Sequence, residues 1–331
     1  MHHQTNRKYS QHMSNTFQRP RRTSRWDFAR EYESIESFLK LPIGDGLHTI
    51  SYKGRKLDFL IRNRYANTTL LVFHGALSPR QRTIPYLQGD GISSSAGVNL
   101  IACADPVLDR GSIACGWFLG DNQLGPLTDL FKPILEHCIQ ELQSSQILLF
   151  GGSGGGYAAV NFGSTIPGST VIAMNPRLDL DSRPKSTLPD YLDICHGANT
   201  KTPMQRIKRD FFTPNLAEKY RAGLNFDLLI LQNKNDSRFL NHQVKPFLQG
   251  LPSHDRTWIS LFDGDPGHSP VPREEIARRI KIVSDPSTPE VQQRYADAGF
   301  SEVNSQLTAL ALDSSATAPS VSSTQQESGE E

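Results

Sequence analysis

The sequence lacks several features that mark special classes of protein. It has no apolar run of membrane-spanning length, and its N-terminus has no apolar core of the signal-peptide kind. Its 35 lysines and arginines nearly balance its 34 aspartates and glutamates. The formal net charge of +1 therefore favours neither nucleic acid nor an acidic substrate as a partner. Together these absences predict a cytoplasmic protein without a transmembrane segment.

Cysteine is scarce as well. The four cysteines show no spacing typical of a metal site, and they are Cys103, Cys115, Cys138 and Cys195. Cys103 and Cys138 lie inside apolar stretches, where a buried thiol is the usual state. The sequence therefore implies no metal ion and no organic cofactor.

Apolar residues are rare at both ends of the chain. Residues 1–30 are polar and locally basic, and residues 284–331 are rich in Ser, Thr, Pro, Gln and Glu. Neither segment has enough apolar surface to offset the entropy of ordering, so both are predicted to be mostly disordered, apart from a helical turn at 307–312. The basic N-terminal segment is interpreted as a solvated tail, with a weak polyanion or membrane-surface contact as the alternative. A single domain is predicted over 31–283.

Within that domain, short apolar runs alternate with amphipathic segments. An antiparallel hairpin over 48–61 precedes six runs typical of strands buried on both faces, at 69–73, 98–104, 147–150, 170–174, 226–231 and 257–262. Helical spacing of apolar residues predicts helices at 127–142 and 274–283. This order predicts an α/β protein with a doubly wound, mostly parallel sheet, whose ligands bind beyond the carboxyl ends of the strands.

The most informative segment is the glycine cluster around Ser153, directly after the third buried run. Its sequence, Gly-Gly-Ser-Gly-Gly-Gly, contains the frame Gly-x-Ser-x-Gly. A strand-to-helix turn this tight strains the backbone of the serine, and Gly151 and Gly155 must lack side chains so that strand and helix can pass closely. A phosphate loop is disfavoured because no lysine follows the glycines, and the dinucleotide-type pattern is a weak match. The turn is thus predicted to present a nucleophile.

The chain resembles the α/β-hydrolase superfamily over roughly residues 47–283. The resemblance rests on Gly-x-Ser-x-Gly after a buried strand, on an upstream strand ending in His74-Gly75, and on an acid and a histidine that follow in that order. It implies that Ser153 is the nucleophile, that His268 is its general base, and that Asp236 orients the imidazole.

The same resemblance implies an oxyanion hole made of backbone N–H groups. One donor is Gly154, and the second is Ala76, with Leu77 as the alternative. Three further residues are candidates for substrate contact: His74, Trp117 and Tyr157. For His74 a structural role behind the oxyanion loop is favoured over a second base, and for Trp117 core packing is an equal alternative.

Each member of the predicted triad has competitors. His268 could be a loop histidine without a role, and the rival histidines, His242 and His254, both precede the last strand. Asp236 could be a helix N-cap, a common position for aspartate. Its rivals for the acid role are Asp263 and Asp265, which lie very close in sequence to the histidine.

The segment 177–223 is too long for a bare loop between the fourth and fifth strands. It is predicted to form a small helical cap over the serine. Because the cap is not strongly apolar, a polar or short-acyl substrate is favoured over a long lipid.

A narrower resemblance involves residues 74–77, the loop at 117–120, the glycine cluster and Asn175-Pro176. These are similar to hydrolase-like domains associated with bacterial capsule and surface-glycan biosynthesis, which implies a glycan O-acyl group as one substrate class. The predicted function is a serine hydrolase that cleaves a small-molecule or glycan acyl ester through an acyl-enzyme. The alternatives are an acyltransferase with the same triad and a non-catalytic binding or scaffold protein. The intact triad counts against the last of these.

Overall fold

The structure is a computed structural model and describes residues 19–26, 28–303 and 306. The strands are β1 (Arg30–Tyr32), β2 (Gly46–Tyr52), β3 (Arg55–Arg62), β4 (Thr68–Phe73), β5 (Asn99–Cys103), β6 (Gly120–Asp121), β7 (Gly125–Pro126), β8 (Gln146–Gly152), β9 (Thr170–Met174), β10 (Asp227–Asn233), β11 (Thr257–Phe262) and β12 (Ser301–Glu302). The helices are α1 (Ile35–Leu39), α2 (Asp90–Ala96), α3 (Leu127–Glu141), α4 (Gly154–Gly163), α5 (Leu188–His196), α6 (Lys201–Asp210), α7 (Leu216–Lys219), α8 (Ser237–Phe239), α9 (Lys245–Gly250), α10 (Arg273–Val283) and α11 (Val291–Asp297).

One large sheet organises the molecule, with the strand order β1-β2-β3-β5-β4-β8-β9-β10-β11-β12. β3 is antiparallel to β2 and to β5, whereas β5, β4, β8, β9, β10 and β11 run parallel to one another. From β2 to β11 this is an eight-strand arrangement with an antiparallel second strand and a crossover that exchanges β4 and β5. It is the α/β-hydrolase fold, as the sequence predicts.

The central strands are apolar along their whole length because both faces of the sheet are covered. In β4, Leu71 and Phe73 pack into a core shared with α3 and α4, whereas Leu70 and Val72 pack into a second core with α2 and α10. Successive side chains of a strand point to opposite faces, so a continuous apolar run fills two cores at once. The four cysteines are buried free thiols, which confirms the expectation for Cys103 and Cys138.

The ordered N-terminal boundary differs from the predicted one. Residues 19–26 lie against the domain. The backbone of Arg21 forms an isolated β-bridge with Ile84, and its guanidinium group donates two hydrogen bonds to the Asp58 carboxylate at 2.7 and 2.8 Å. The Arg19 guanidinium donates to the carbonyls of Leu108 and Gly111. The prediction of disorder is therefore wrong for this part of 1–30, because a few specific arginine contacts order a segment that has little apolar surface.

The C-terminal boundary also extends further than predicted. α11 and β12 belong to the domain, and β12 adds an antiparallel edge strand beside β11. Tyr295 is fully buried, and its hydroxyl contacts Thr170 Oγ1 at 2.9 Å and Asp227 Oδ2 at 2.8 Å. The prediction that 284–331 is mostly disordered is thus wrong for 291–302. Residues 1–18 and 307–331, including the apolar patch at 307–312, lie outside the described residues.

Of the helices in the described ranges, none combines the length and the apolar character that a membrane crossing requires.

Candidate active site

Ser153 occupies the corner between β8 and α4 with φ 53° and ψ −115°. A positive φ is strained for a residue with a side chain and costs on the order of 1–3 kcal/mol. Hydrogen bonds hold this conformation, because the Ser153 N–H donates to the Met174 carbonyl at 2.9 Å and the Ser153 carbonyl accepts from the N–H of Gly156 at 3.0 Å. The strained corner that the sequence predicts is present.

The flanking glycines are required by close backbone approach. A Cβ on Gly151 would lie 2.0 Å from the Gly155 carbonyl oxygen, and a Cβ on Gly155 would lie 2.3 Å from the Phe73 carbonyl oxygen. Distances this short exclude any side chain, because backbone atoms would have to move apart. The glycine frame therefore lets α4 cross directly over the ends of β4 and β8.

Asp236 and His268 are in direct contact. The His268 Nδ1 lies 2.7 Å from Asp236 Oδ2, and the aspartate side chain is only 4% exposed. Because a carboxylate only accepts, the hydrogen on the neutral ring is assigned to Nδ1, and Nε2 is left with its lone pair. The Phe239 ring stacks on the imidazole with the ring centres 3.9 Å apart. One face of the His268 imidazole is thus packed against Phe239, and one edge is hydrogen-bonded to Asp236.

Asp236 also serves as the N-cap of α8. Its second carboxylate oxygen accepts from the Phe239 N–H at 3.2 Å. The two sequence interpretations of Asp236, helix cap and histidine partner, are therefore compatible. The rival Asp263 pairs with Lys234 at 2.7 Å instead, and Asp265 meets the site through its backbone carbonyl, which accepts from Asn233.

Asn233, at the end of β10, holds the loop that carries His268. Its side-chain N–H groups donate to the carbonyls of Asp265 at 2.8 Å and Gly267 at 3.0 Å. Its side-chain oxygen accepts from the N–H groups of Asn235 at 3.0 Å and Gly264 at 3.1 Å. All four hydrogen-bonding positions of one buried amide are thus used to shape this loop.

Asn175 ties the same loop to the neighbouring strand. Its side chain donates to the Ser269 carbonyl at 2.8 Å and accepts from the Asn233 N–H at 2.7 Å. Sequence reasoning did not assign these two asparagines to the site. The available signal was their position at the ends of two adjacent parallel strands, where polar side chains can reach the loops beyond.

The carboxyl ends of the strands enclose a cavity of about 770 Å³. Its lining includes Ser153, His268, Ala76 and Asn175, with apolar walls that include Met174. Within the described part of the chain, the Ser153 hydroxyl makes no hydrogen bond to the His268 ring. The structure nevertheless brings the predicted serine and histidine to one cavity, and it attaches the predicted aspartate to the histidine.

The two predicted oxyanion donors also lie at this corner. Gly154 is the first residue of α4, so its N–H has no acceptor within the helix. Gly75 packs against β8 so closely that a Cβ there would lie 2.9 Å from the Gly152 carbonyl oxygen, which brings the Ala76 loop to the cavity. Leu77, the alternative donor, uses its N–H for a 2.8 Å hydrogen bond to the Ala114 carbonyl. This geometry favours Ala76 over Leu77.

The three predicted substrate-contact residues do not line the cavity. His74, Trp117 and Tyr157 are 1%, 3% and 0% exposed. The Tyr157 hydroxyl donates to the Thr213 carbonyl at 2.6 Å, and the Trp117 ring packs edge-on against Tyr191. Their predicted contact with substrate is therefore wrong, because burial of these rings in the core takes precedence over exposure at the site.

His74 has a structural environment, as the favoured interpretation holds. Its Nδ1 lies 2.8 Å from the Gly75 carbonyl oxygen, and its Nε2 accepts from the Asp105 N–H at 3.2 Å. Burial lowers the pKa of His74 to about 4, because the charged ring would lose its hydration. The ring is therefore neutral at physiological pH and positions the loop that carries Ala76.

The inserted segment 177–223 folds into the helices α5, α6 and α7, but it does not cover the serine. Among the described residues that line the cavity, none comes from this segment. Tyr191 and Leu216 are buried in the core shared with α4, so the segment packs beside the sheet. The predicted position of the cap over Ser153 is therefore wrong. The cavity walls come instead from 25–26, 87–92 and 270–276.

Comparison with protein-family models finds no match for the chain, and comparison with curated protein sequences finds none. Among solved structures, the chain is similar to the capsule O-acetyltransferase of Neisseria meningitidis serogroup A (18% identity, TM-score 0.48, covering 73% of this chain and 95% of that one). It is also similar to an S-formylglutathione hydrolase from Agrobacterium tumefaciens (16% identity, TM-score 0.49, 71% and 91%). A third similarity is to an esterase from Pyrococcus furiosus (14% identity, TM-score 0.45, 85% and 98%). Similarity at this level carries no argument about activity, and the assignment as an α/β-hydrolase fold rests on strand order.

Proposed function

We propose that this protein is a serine hydrolase that cleaves a carboxylic ester through an acyl-enzyme. The observation that carries the proposal is the 2.7 Å contact between His268 Nδ1 and the buried Asp236 carboxylate, at a cavity that is also lined by Ser153. An ionised acceptor on one ring nitrogen keeps the other nitrogen basic and oriented.

In the acylation step, Ser153 Oγ attacks the ester carbonyl carbon and His268 Nε2 takes the hydroxyl proton. The carbonyl oxygen becomes an oxyanion that accepts from the N–H groups of Gly154 and Ala76. Asp236 stabilises the imidazolium that forms, without taking its proton. When the ester C–O bond breaks, His268 returns the proton to the leaving alkoxide, and the acyl group stays on Ser153.

In the deacylation step, a water molecule replaces the alcohol. His268 takes one of its protons, the resulting tetrahedral intermediate collapses, and Ser153 regains its hydrogen as the acid leaves. The His268 side chain is 36% exposed, so water has access to the base. This exposure supports hydrolysis over transfer to a bound alcohol.

The cavity also bears on the substrate. A volume of about 770 Å³ lies within the range of small-molecule sites. Its mixed polar and apolar lining supports an ester with a short acyl group and a polar alcohol, of which an O-acyl sugar is one example.

Steady-state hydrolysis of 4-nitrophenyl acetate tests the proposal. Ser153→Ala and His268→Ala are each expected to lower kcat by about 10³-fold or more, and Asp236→Asn by roughly 10²- to 10⁴-fold. Ser253→Ala, an exposed serine away from the cavity, is the matched control and is expected to keep full activity. Equal rates for Ser153→Ala and the control would contradict the proposal.

An acyltransferase would use the same three residues, so products must also be measured. With 4-nitrophenyl acetate and a mixture of sugar alcohols, we expect acetate as the main product. If the amount of acetylated sugar far exceeds that of acetate, the reaction is acyl transfer and not hydrolysis. The proposed roles of Ser153 and His268 would be unchanged.

A further inference from the structure

Two arginines line the cavity that contains Ser153. Arg25 and Arg273 both line it, Arg25 from the segment before β1 and Arg273 from the start of α10. The two residues are 248 positions apart in the sequence (273 minus 25) and converge on one opening. This convergence is a property of the fold that the overall charge of +1 does not reveal.

The acidic side chain in the described lining, Asp90, is already compensated. It pairs with Arg64 at 2.8 Å and with Arg62 at 3.3 Å. Because two guanidinium groups outside the lining pair with this one carboxylate, Asp90 does not make the cavity mouth negative.

The partners of the two lining arginines leave positive charge at the mouth. Arg25 lies 4.0 Å over the Trp26 ring, and among the described residues no carboxylate pairs with it. Partial burial is the main cause that lowers the pKa of Arg25; Tyr86 acts in the opposite direction and the neighbouring Arg22 in the same direction as burial. Arg273 pairs with Glu274 at 3.2 Å, but both side chains are well exposed, so that pair is weak.

The lining therefore carries more positive than negative charge. Among the described residues that line the cavity, two cations, Arg25 and Arg273, accompany one carboxylate, Asp90, and Asp90 is already paired with Arg62 and Arg64 outside the lining. Between this mouth and Ser153 the cavity walls include the apolar side chains of Val72, Leu87 and Met174. A charged group at the mouth thus acts next to low-dielectric walls, where Coulomb attraction is stronger than in bulk water.

We infer that the substrate carries an anionic oxygen group, a phosphate or a carboxylate, which binds between Arg25 and Arg273 while the ester reaches Ser153. This inference rests on the proposed function and adds the class of substrate. A guanidinium group is suited to both anions, because its fork of N–H donors matches two oxygens of either one.

Three aryl acetates test the inference: neutral 4-acetoxybenzamide, 4-acetoxybenzoate, and 4-acetoxyphenyl phosphate. The readout is the ratio of kcat/KM for each anionic ester to that for the neutral one, compared between variants. Arg25→Gln and Arg273→Gln are each expected to lower the ratio about tenfold, the usual effect of losing a charge-assisted hydrogen bond. Arg25→Lys, which keeps the charge, should retain most of the ratio. The ester whose ratio falls more identifies the preferred anion.

Arg278→Gln is the matched control, because it removes the same charge from the same helix at a site outside the cavity lining, where Arg278 pairs with Glu275. It is expected to leave the ratio unchanged. Raising the salt concentration from 0.05 to 0.5 M should lower the ratio in the unmodified protein and have little effect in the Arg25→Gln, Arg273→Gln double variant. A ratio that is equal in the unmodified protein, Arg25→Gln and Arg273→Gln would overturn the inference.

The inference can be separated from the proposed function. If none of the three esters is hydrolysed, the proposed function fails, and binding of 4-hydroxyphenyl phosphate is then measured by calorimetry. Binding that weakens about tenfold in Arg25→Gln and is unchanged in Arg278→Gln would support the anion site on its own. No measurable binding to the unmodified protein would overturn it.

Discussion

At the scale of single residues, three polar side chains around His268 make at least two hydrogen bonds each. Asp236 caps α8 with one oxygen and holds His268 with the other. Asn233 and Asn175 bond the loop around His268 and also bond each other. These bonds orient the imidazole before any substrate arrives, as catalysis by positioned groups requires.

The burial of His74 predicts that the free energy of unfolding depends on pH. Its folded-state pKa of about 4 lies below the ordinary value of 6.5, so the unfolded chain binds a proton that the folded protein excludes. Stability from this site is therefore complete above pH 6.5 and is lost as the pH falls toward 4. The free-energy advantage of the unmodified protein over His74→Gln should shrink by roughly 2–3 kcal/mol between pH 7 and pH 4.5.

Urea unfolding of both proteins at the two pH values measures this difference. Asp105, whose pKa burial raises to about 6, has the opposite dependence and is present in both proteins, so its effect is subtracted. An advantage that does not change with pH would show that His74 is not kept neutral by burial.

At the scale of secondary-structure elements, the sequence predicted the turn between β8 and α4. It also predicted the loops after β4 and β10. The reason is that a tight turn imposes residue types locally, as the glycines around Ser153 illustrate. The sequence did not predict the walls of the cavity, because these come from 25–26, 87–92 and 270–276, which meet only in the folded chain. The prediction that 177–223 covers Ser153 was wrong for the same reason. Tyr191 packs into a core whose location no local sequence pattern specifies.

The helix α11 provides a test at this scale. Tyr295 is fully buried although the composition of its segment predicts disorder. Replacing it with alanine removes a buried aromatic ring, and Tyr295→Ala should lower the free energy of unfolding by about 3–5 kcal/mol. Gln292→Ala, an exposed position of the same helix, should change it by less than about 0.5 kcal/mol. Equal stability of the two variants in urea unfolding would mean that α11 does not pack on the domain.

At the scale of the whole molecule, the order of buried strands was enough to predict a doubly wound, mostly parallel sheet, because a strand with both faces covered is recognisable as a continuous apolar run. The α/β-hydrolase fold itself was implied by the resemblance that the motifs around Ser153, Asp236 and His268 carry. The ends of the domain were misjudged because average composition hides a few decisive contacts, such as the Arg21–Asp58 pair. The charge of the cavity mouth was also not predicted, since a chain with net charge +1 can still bring two arginines that are far apart in sequence to one cavity.

The central claim is that the fold activates Ser153 through His268 and Asp236. The most direct measurement is reaction of the intact protein with a fluorophosphonate, followed by mass spectrometric mapping of the modified residue. We predict one adduct, on Ser153, that is absent in Ser153→Ala and strongly slowed in His268→Ala. No adduct on the intact protein, or an adduct on another residue with Ser153 unmodified, would contradict the account.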